Sequence, residues 1–163
     1  MAGRRFTFEP HHCFACGELN EHGLHLTLHT DAERCWTELT LPAAFQGWED
    51  VVHGGILCTI MDEVMAWAVI GRDTWGVTAR MAVEFKRPVA VGQAIRAEGV
   101  VTDAGRRLMR TEGRIFDAVG GDLLATATGT YVAAPPERLA ALKARYQLRP
   151  TDDLAESTGP VDR

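Results

Sequence analysis

Between Gly54 and Gly71 the chain reads GGILCTIMDEVMAWAVIG, a run without proline that begins and ends with glycine. At 1.5 Å per residue, a helix over this run is about 27 Å long. Its apolar side chains fall on every side of the helix, and Asp62 and Glu63 carry its only charges. Because a helix that is apolar nearly all round is buried, we predict that the rest of the domain wraps around this one.

The segments on both sides of the predicted helix have the pattern of β-strands. Alternating apolar and polar residues predict strands at about 24–29, 35–41, 81–86, 93–102, 107–117 and 123–132. Short turns separate the last three, which predicts antiparallel hairpins. The sequence therefore predicts an α+β fold, with an antiparallel sheet of about five to six strands around one long central helix. One sheet cannot cover a helix that is apolar on all sides, so we also expect a second copy of the chain against it.

The chain divides into four predicted parts. Residues 1–22 form a turn-rich N-terminal arm, 23–134 the main domain, 135–148 an amphipathic C-terminal helix and 149–163 a disordered tail. The prolines at 135 and 136 suit the first turn of that helix, because proline there removes no intrahelical hydrogen bond.

The composition argues against several classes of protein. The chain has 163 residues with 17 basic and 22 acidic side chains, a net charge of −5, whereas nucleic-acid-binding proteins usually carry a basic excess. The longest stretch without Asp, Glu, Lys or Arg has 14 residues, 123–136, and a membrane span needs about 20 apolar residues. No secretory signal is visible, and the four cysteines do not resemble a disulfide scaffold. We therefore expect a cytoplasmic protein without nucleic-acid or membrane partners.

A candidate site lies at the start of the predicted helix. His53 is followed by Gly54 and Gly55, where the first backbone N–H groups lack intrahelical partners. Without side chains in the way, a ligand oxygen can approach these donors and the positive end of the helix dipole, as in an oxyanion hole. Asp62 follows about two turns later, and burial makes a carboxylate a better base, whereas Glu63 points about 100° away. Equally, the glycines can be a hinge and Asp62 can pair with an arginine.

Four motifs of the chain resemble a known family. They are FQGW at Phe45–Trp48, VHGGI at Val52–Ile56, MDE at Met61–Glu63 and FKRPV at Phe85–Val89. Together they resemble the hotdog-fold acyl-CoA thioesterases of the phenylacetate-degradation (PaaI-like) branch of the 4-hydroxybenzoyl-CoA thioesterase superfamily, over about residues 12–133. The resemblance implies the hotdog fold, dimers formed through the sheet that often pair into tetramers, and hydrolysis of a CoA thioester to a free acid and CoA.

The resemblance also implies catalytic roles. Asp62 is the general base or the nucleophile. Gly54, helped by Gly55, donates a backbone N–H to the thioester oxygen, and His53 orders the start of the helix. Thr78 orients the attacking water. The site is shared, with Asp62 of one subunit facing the helix start of the other.

Other residues are added to the site on the same basis. Several relatives carry an asparagine shortly before the histidine that polarises the carbonyl, and Gln46 stands one residue from that place. Coenzyme A is strongly anionic, and arginine binds phosphate with two hydrogen bonds. Two basic pairs, Lys86-Arg87 and Arg106-Arg107, are therefore candidates to bind its phosphates. Each pair can equally be ordinary solvated surface. The predicted substrate-binding residues are Trp48, Glu63, Lys86, Arg87, Arg106 and Arg107.

Cys13 and Cys16 form a Cys-x-x-Cys pair with histidines nearby. A zinc ribbon needs a second cysteine pair, which the chain lacks. The segment also resembles the N-terminal arm of some thioesterase-like proteins, which favours a structural role, so we predict neither a metal nor a cofactor. The alternative is a metal site formed by Cys13, Cys16 and two of His11, His12 and His22.

Two other functions remain open at the level of sequence. One is an acyl-CoA-binding hotdog protein without turnover, and the other is a metal- or redox-binding protein that acts through the cysteine pair. A hotdog hydratase is disfavoured, because the chain lacks the Asp-x-x-x-x-His pattern of those enzymes. The sequence does not determine the acyl preference, the choice of dimer or tetramer, or whether Asp62 is a base or a nucleophile.

Overall fold

The structure is a computed structural model that describes residues 4–31 and 33–151. This part of the chain contains two α-helices, α1 (Gly54–Ile70) and α2 (Pro136–Tyr146), and a 3-10 turn at Ala43–Phe45. Its strands are β1 (Arg4–Thr7), β2 (His29–Thr30), β3 (Arg34–Thr40), β4 (Gln46–Trp48), β5 (Val51–Val52), β6 (Gly76–Phe85), β7 (Ala94–Ala104), β8 (Leu108–Asp117), β9 (Leu123–Ala133) and β10 (Arg149–Thr151).

Eight of these strands form one antiparallel sheet in the order β10-β1-β2-β3-β7-β8-β9-β6. The five long strands β3, β7, β8, β9 and β6 pack against α1, and the short strands β1, β2 and β10 extend the sheet beyond β3. Strands β4 and β5 form a separate hairpin just before α1. The predicted α+β fold, an antiparallel sheet around one central helix, is therefore confirmed.

Helix α1 is the centre of the core. Strands β7 and β8 alternate buried and more exposed residues, so that one face of each strand packs on the helix. The α1 residues without exposed surface are Ile60, Met61, Val64 and Met65. One side of α1 stays partly exposed, at Thr59, Asp62 and Ala66. The single chain thus leaves uncovered the side of the helix that carries Asp62.

Strand β7 comes very close to α1 at Gly99. A Cβ on Gly99 would overlap the backbone carbonyl of Val64. Only glycine therefore fits this position without a shift of the helix or the strand.

We expect Gly99→Ala to lower the free energy of unfolding by about 1–3 kcal/mol, the usual cost of forcing extra atoms into a packed core. Gly71→Ala is the matched control, because the nearest neighbour of its Cβ would lie at an ordinary 3.4 Å. Chemical denaturation of both variants measures the difference. Equal stability of the two variants would show that α1 and β7 can move apart at this contact without a loss of free energy of unfolding.

The strand predicted at about 24–29 is wrong for most of its length, since only its last residue belongs to a strand, β2. The backbone N–H groups of Leu24 and Leu26 donate to carbonyls of the N-terminal arm. His25 has a positive φ of 48°, which an extended strand does not have. The alternation still identifies the inward residues, because Leu26 and Leu28 are buried.

The two ends of the described chain lie side by side. Helix α2 falls within the predicted C-terminal helix, and its Tyr146 packs against Phe8, His11 and Trp75. Residues 149–151, which the sequence assigns to the disordered tail, form β10 and pair with β1. The rest of that predicted tail, 152–163, lies outside the described residues. No helix in the described part of the chain is long and apolar enough to cross a bilayer.

Candidate active site

His53 caps the N-terminus of α1. Its backbone is extended, with φ −62° and ψ 131°, and its Nδ1 accepts the backbone N–H of Gly55 at 2.9 Å. A Cβ on Gly55 would lie 3.0 Å from that nitrogen, so the glycine leaves room for the ring. Because this N–H is already bonded, Gly55 has no free backbone donor in this arrangement, and its role as a helper donor to the thioester oxygen stays a prediction.

Gly54 provides the remaining donor at the start of α1. Its backbone N–H has no acceptor in residues 4–31 and 33–151. A Cβ on Gly54 would lie 3.3 Å from the ring of Phe85 at the end of β6. An unpaired N–H at the positive end of a helix dipole is suited to bind an oxygen that gains negative charge.

The cap leads to a stability prediction. His53→Ala will lower the free energy of unfolding by about 1 kcal/mol, as loss of a helix N-cap usually does. His53→Asn is the matched control, because asparagine is among the best N-caps and can accept the same N–H. Chemical denaturation compares the two variants, and an alanine variant as stable as the wild type would mean that the bond contributes nothing to the helix.

Asp62 is held through one of its two carboxylate oxygens. Oδ1 accepts the hydroxyl of Thr78 at 2.7 Å and that of Tyr131 at 2.8 Å. The Tyr131 hydroxyl also lies 3.0 Å from the backbone carbonyl of Asp62. Oδ2 has no donor among the described residues. The carboxylate is thus oriented, with one oxygen left to meet a water or a substrate.

Tyr131 is a site residue that the sequence reasoning missed. It is 1% exposed, and burial and the charge of Asp62 raise the pKa of its hydroxyl well above the ordinary value, so it remains a hydrogen-bond donor. Thr78 and Tyr131 are paired residues of β6 and β9. The only signal in the sequence is a tyrosine among small residues on the inward face of β9, and the pairing with Thr78 depends on strand register.

Gly54 and Asp62 do not meet within one chain. They are eight residues apart on one helix, which corresponds to about 12 Å. A single thioester carbonyl cannot reach both groups of the same chain.

Glu63 faces away from Asp62. Its Oε1 accepts the indole N–H of Trp67 at 3.0 Å, and its carboxylate lies with Cys13 and Cys16 of the N-terminal arm. Burial, followed by the charge of Cys13, raises the pKa of Glu63 to about 7. Neighbouring residues of a helix point about 100° apart, so Glu63 does not share a side of α1 with Asp62, and its predicted contact with the substrate stays a prediction.

The β4–β5 hairpin packs beside His53. A Cβ on Gly47 would lie 3.2 Å from the Cα of His53. Gln46 is exposed and its Oε1 accepts the backbone N–H of Asp50 at 3.3 Å, so the amide N–H₂ of Gln46 remains available as a donor. Trp48 is 84% exposed. Both residues therefore stay predictions for the site.

The two basic pairs lie at opposite ends of β6. Lys86 forms an ion pair with Glu84, and Arg87 with Asp122; both residues follow Phe85, beside the start of α1. Arg106 and Arg107 lie in the β7–β8 turn, next to the residues of β9 that pair with the beginning of β6. Within the described chain, neither of these two arginines forms an ion pair.

A cavity of about 360 Å³ lies beyond Asp62 on the same side of α1. Its wall is mostly apolar and includes Ala66 and Ile70 of α1, Val77 of β6 and Leu142 of α2. Tyr131, whose hydroxyl donates to Asp62, also lines it. The cavity therefore begins about one helical turn from the carboxylate.

The segment that contains most of these residues matches a known family. Residues 49–124 match the family model of the thioesterase superfamily. This segment is a thioesterase-superfamily domain. Three of the four motifs that carry the resemblance lie within residues 49–124. A search of curated proteins found no match to the chain.

Solved structures of the superfamily share the fold of this hotdog domain. A thioesterase superfamily protein aligns with a TM-score of 0.69 at 24% identity, over 74% of this chain and 60% of that one. The PaaI protein of the E. coli phenylacetic acid degradation operon gives 0.64 at 18% identity, over 69% and 81%. A Streptococcus pneumoniae TIGR4 thioesterase protein with coenzyme A gives 0.60 at 19% identity, over 63% and 82%. These similarities establish the hotdog fold.

The Streptococcus pneumoniae protein has also been crystallised as two alanine variants. One replaces an aspartate, and the other replaces a threonine that lies 16 residues further along the chain. In this hotdog domain the hydrogen-bonded residues Asp62 and Thr78 have the same separation, 16 residues.

Proposed function

We propose that the protein hydrolyses an acyl-CoA thioester to the free acid and CoA, with Asp62 as the base or nucleophile. The arrangement of the Asp62 carboxylate carries this proposal: two hydroxyls fix one oxygen, and the other has no donor among the described residues. A carboxylate oriented in this way supports attack on a carbonyl carbon, either by itself or through a water.

Thr78 fits the role of orienting the water. Its hydrogen is donated to Asp62, and its oxygen can still accept a hydrogen from a water. Asp62 then removes the other proton as the water attacks the thioester. Positioned general-base catalysis of this kind contributes about 10²–10⁴-fold.

The oxyanion donor has to come from a second copy of the chain, because Gly54 and Asp62 are too far apart in one copy. Among the residues that the structure describes, strand β6 pairs with β9 on one side only, so its other edge is open there. This edge is ten residues long, with Val77 70% and Phe85 53% exposed. Long open edges with apolar residues are usually covered by another strand, and we propose that β6 pairs with β6 of a second copy in a homodimer.

Antiparallel pairing of two β6 strands brings the two halves of the site together. In a pairing centred on Met81, residue 77 lies opposite residue 85 of the other copy. Gly54 packs on Phe85, and Asp62 bonds to Thr78. The N–H of Gly54 of the partner subunit therefore comes close to Asp62, and two such sites form per dimer.

The apolar cavity suits the acyl group. It begins beside Tyr131, close to the place where the thioester carbonyl would meet Asp62, and its volume of about 360 Å³ is at the small end of the range for ligand pockets. The CoA phosphates need positive charge, and Arg106 and Arg107 supply it without competing ion pairs within the described chain. The CoA in the Streptococcus pneumoniae structure supports a CoA ester as the ligand.

Thiol release from a panel of CoA esters tests the proposal. The panel contains short, medium and long acyl chains, phenylacetyl and hydroxybenzoyl, and the four protein cysteines are blocked beforehand. We expect steady turnover of at least one ester, and the ranking of the esters identifies the acyl class. Binding of these esters without turnover, in folded protein, would replace hydrolysis by an acyl-CoA-binding function.

A further inference from the structure

The cysteine pair of the N-terminal arm meets the second acid of α1. Cys13, Cys16 and Glu63 each offer one ligand atom, and these atoms all lie within 4.8 Å of one another. None of the three takes part in the proposed hydrolysis. The cluster joins the arm to the middle of the central helix, two parts of the chain that are far apart in sequence.

The turn that carries the cysteines is built around Gly17. Its backbone N–H donates to the carbonyl of Cys13 at 2.9 Å, and a Cβ there would overlap backbone atoms of Cys13 and His11. The turn therefore requires glycine. It also holds Cys13 and Cys16 in one turn, from which both sulfurs reach the cluster.

Glu63 is held in place from its own side of the cluster. Trp67 donates its indole N–H to Oε1 at 3.0 Å, is only 4% exposed and packs on Phe8 with a centroid distance of 4.6 Å. Carboxylates that bind metals are commonly oriented by such a second hydrogen bond. The bond uses one carboxylate oxygen and leaves the second one available as a ligand atom.

We propose that Cys13, Cys16 and Glu63 bind one zinc ion. Two sulfurs and one carboxylate are a donor set for zinc, whereas magnesium and calcium take oxygen ligands. Around zinc, ligand atoms at about 2.0–2.3 Å lie about 3.5–3.8 Å apart, so the cluster needs only a small contraction. Water takes the fourth position, and the ion fastens the N-terminal arm to α1 one residue from Asp62.

Histidine does not belong to the cluster, in contrast to the alternative that the sequence left open. His11 accepts the backbone N–H of Cys13 at Nδ1, 3.3 Å away, and its ring packs on Phe8 and Tyr146. It supports the turn. Glu63 takes the place of the two histidine ligands considered from sequence. It joins the cluster because the fold brings the N-terminal arm against α1.

Metal titration of the reduced, metal-free protein tests the site. Zinc is titrated against a chromophoric chelator, and cobalt(II) serves as the spectroscopic probe. We expect one ion per chain, with thiolate-to-cobalt charge-transfer absorption and the visible bands of tetrahedral cobalt. Cys13→Ser and Cys16→Ser will lose stoichiometric binding, and Glu63→Gln will bind at least ~10-fold more weakly. Cys58→Ser, which changes a free cysteine outside the cluster, will bind as the wild type does.

Several outcomes would overturn the zinc site. They are less than one ion per chain in the reduced wild type, unchanged affinity in Glu63→Gln, or loss of binding in Cys58→Ser. A protein that forms a Cys13–Cys16 disulfide, seen by mass, and binds no ion after reduction would identify a redox pair instead. If the cysteine variants do not fold, the comparison of zinc affinity between the wild type and Glu63→Gln tests the site, because both proteins keep the two sulfurs.

Discussion

Replacing Asp62 by asparagine will lower thioester turnover by at least ~10²-fold, with the fold intact. The amide oxygen of asparagine can still accept the hydroxyls of Thr78 and Tyr131, so the local packing survives. Its N–H₂ group then stands where the free carboxylate oxygen was, and it can neither accept a proton from water nor attack a carbonyl carbon. Thiol release, measured beside the wild type on the best ester of the panel, gives the loss directly.

Asp73→Asn is the matched control for this prediction. Asp73 follows α1, forms an exposed ion pair with Lys143 and has a positive φ of 58°, which asparagine tolerates well. We expect this variant to keep wild-type turnover. A folded Asp62→Asn protein with full activity would show that the carboxylate has no chemical part in the reaction.

Gly54→Pro will lower turnover by about 10²–10³-fold, the usual cost of losing one oxyanion donor. Proline removes the N–H and suits the first position of a helix, and the extended backbone of His53 is compatible with a following proline. Gly54→Ala is the control for the added atoms near Phe85, because it retains the N–H. If both variants lose the same activity, the loss comes from crowding against Phe85 and the donor is elsewhere.

Mixing the two inactive proteins tests whether the site is shared. A heterodimer of Asp62→Asn and Gly54→Pro subunits contains one site with both defects and one with neither. With free exchange of subunits, half of the dimers are mixed, so about a quarter of wild-type activity returns. Activity that stays at the level of the separate variants, in demonstrated heterodimers, would place the complete site within one chain.

The sequence predicts the centre of the fold well, because the relevant signals are local. The proline-free run from Gly54 and its all-round apolar character identify the buried helix, and the alternating segments after it identify its sheet. The failure at residues 24–28 has a local cause too: the backbone of His25 turns out of the extended region, and its neighbours bond to the arm. Alternation reports which side chains are buried, and it does not report which backbone groups pair.

The site is only partly predictable from the sequence, because several of its contacts join segments that are distant along the chain. Tyr131 reaches Asp62 because β9 pairs with β6 in one particular register. Glu63 meets Cys13 because the N-terminal arm folds over α1. The bond from Gly55 to His53 is local, but the rotamer of His53 decides it, and sequence spacing carries no information on rotamers.

The unequal surroundings of the two Asp62 oxygens give the proposed reaction a direction. Oδ1 already receives two hydroxyl hydrogens, so a proton that Asp62 acquires settles on Oδ2. The resulting acid points toward the substrate, where the departing CoA sulfur needs a proton. Oδ2 can therefore accept the proton from water and then donate it to the leaving group. The two hydroxyls bonded to Oδ1 restrict this proton transfer to the side of the carboxylate that faces the substrate.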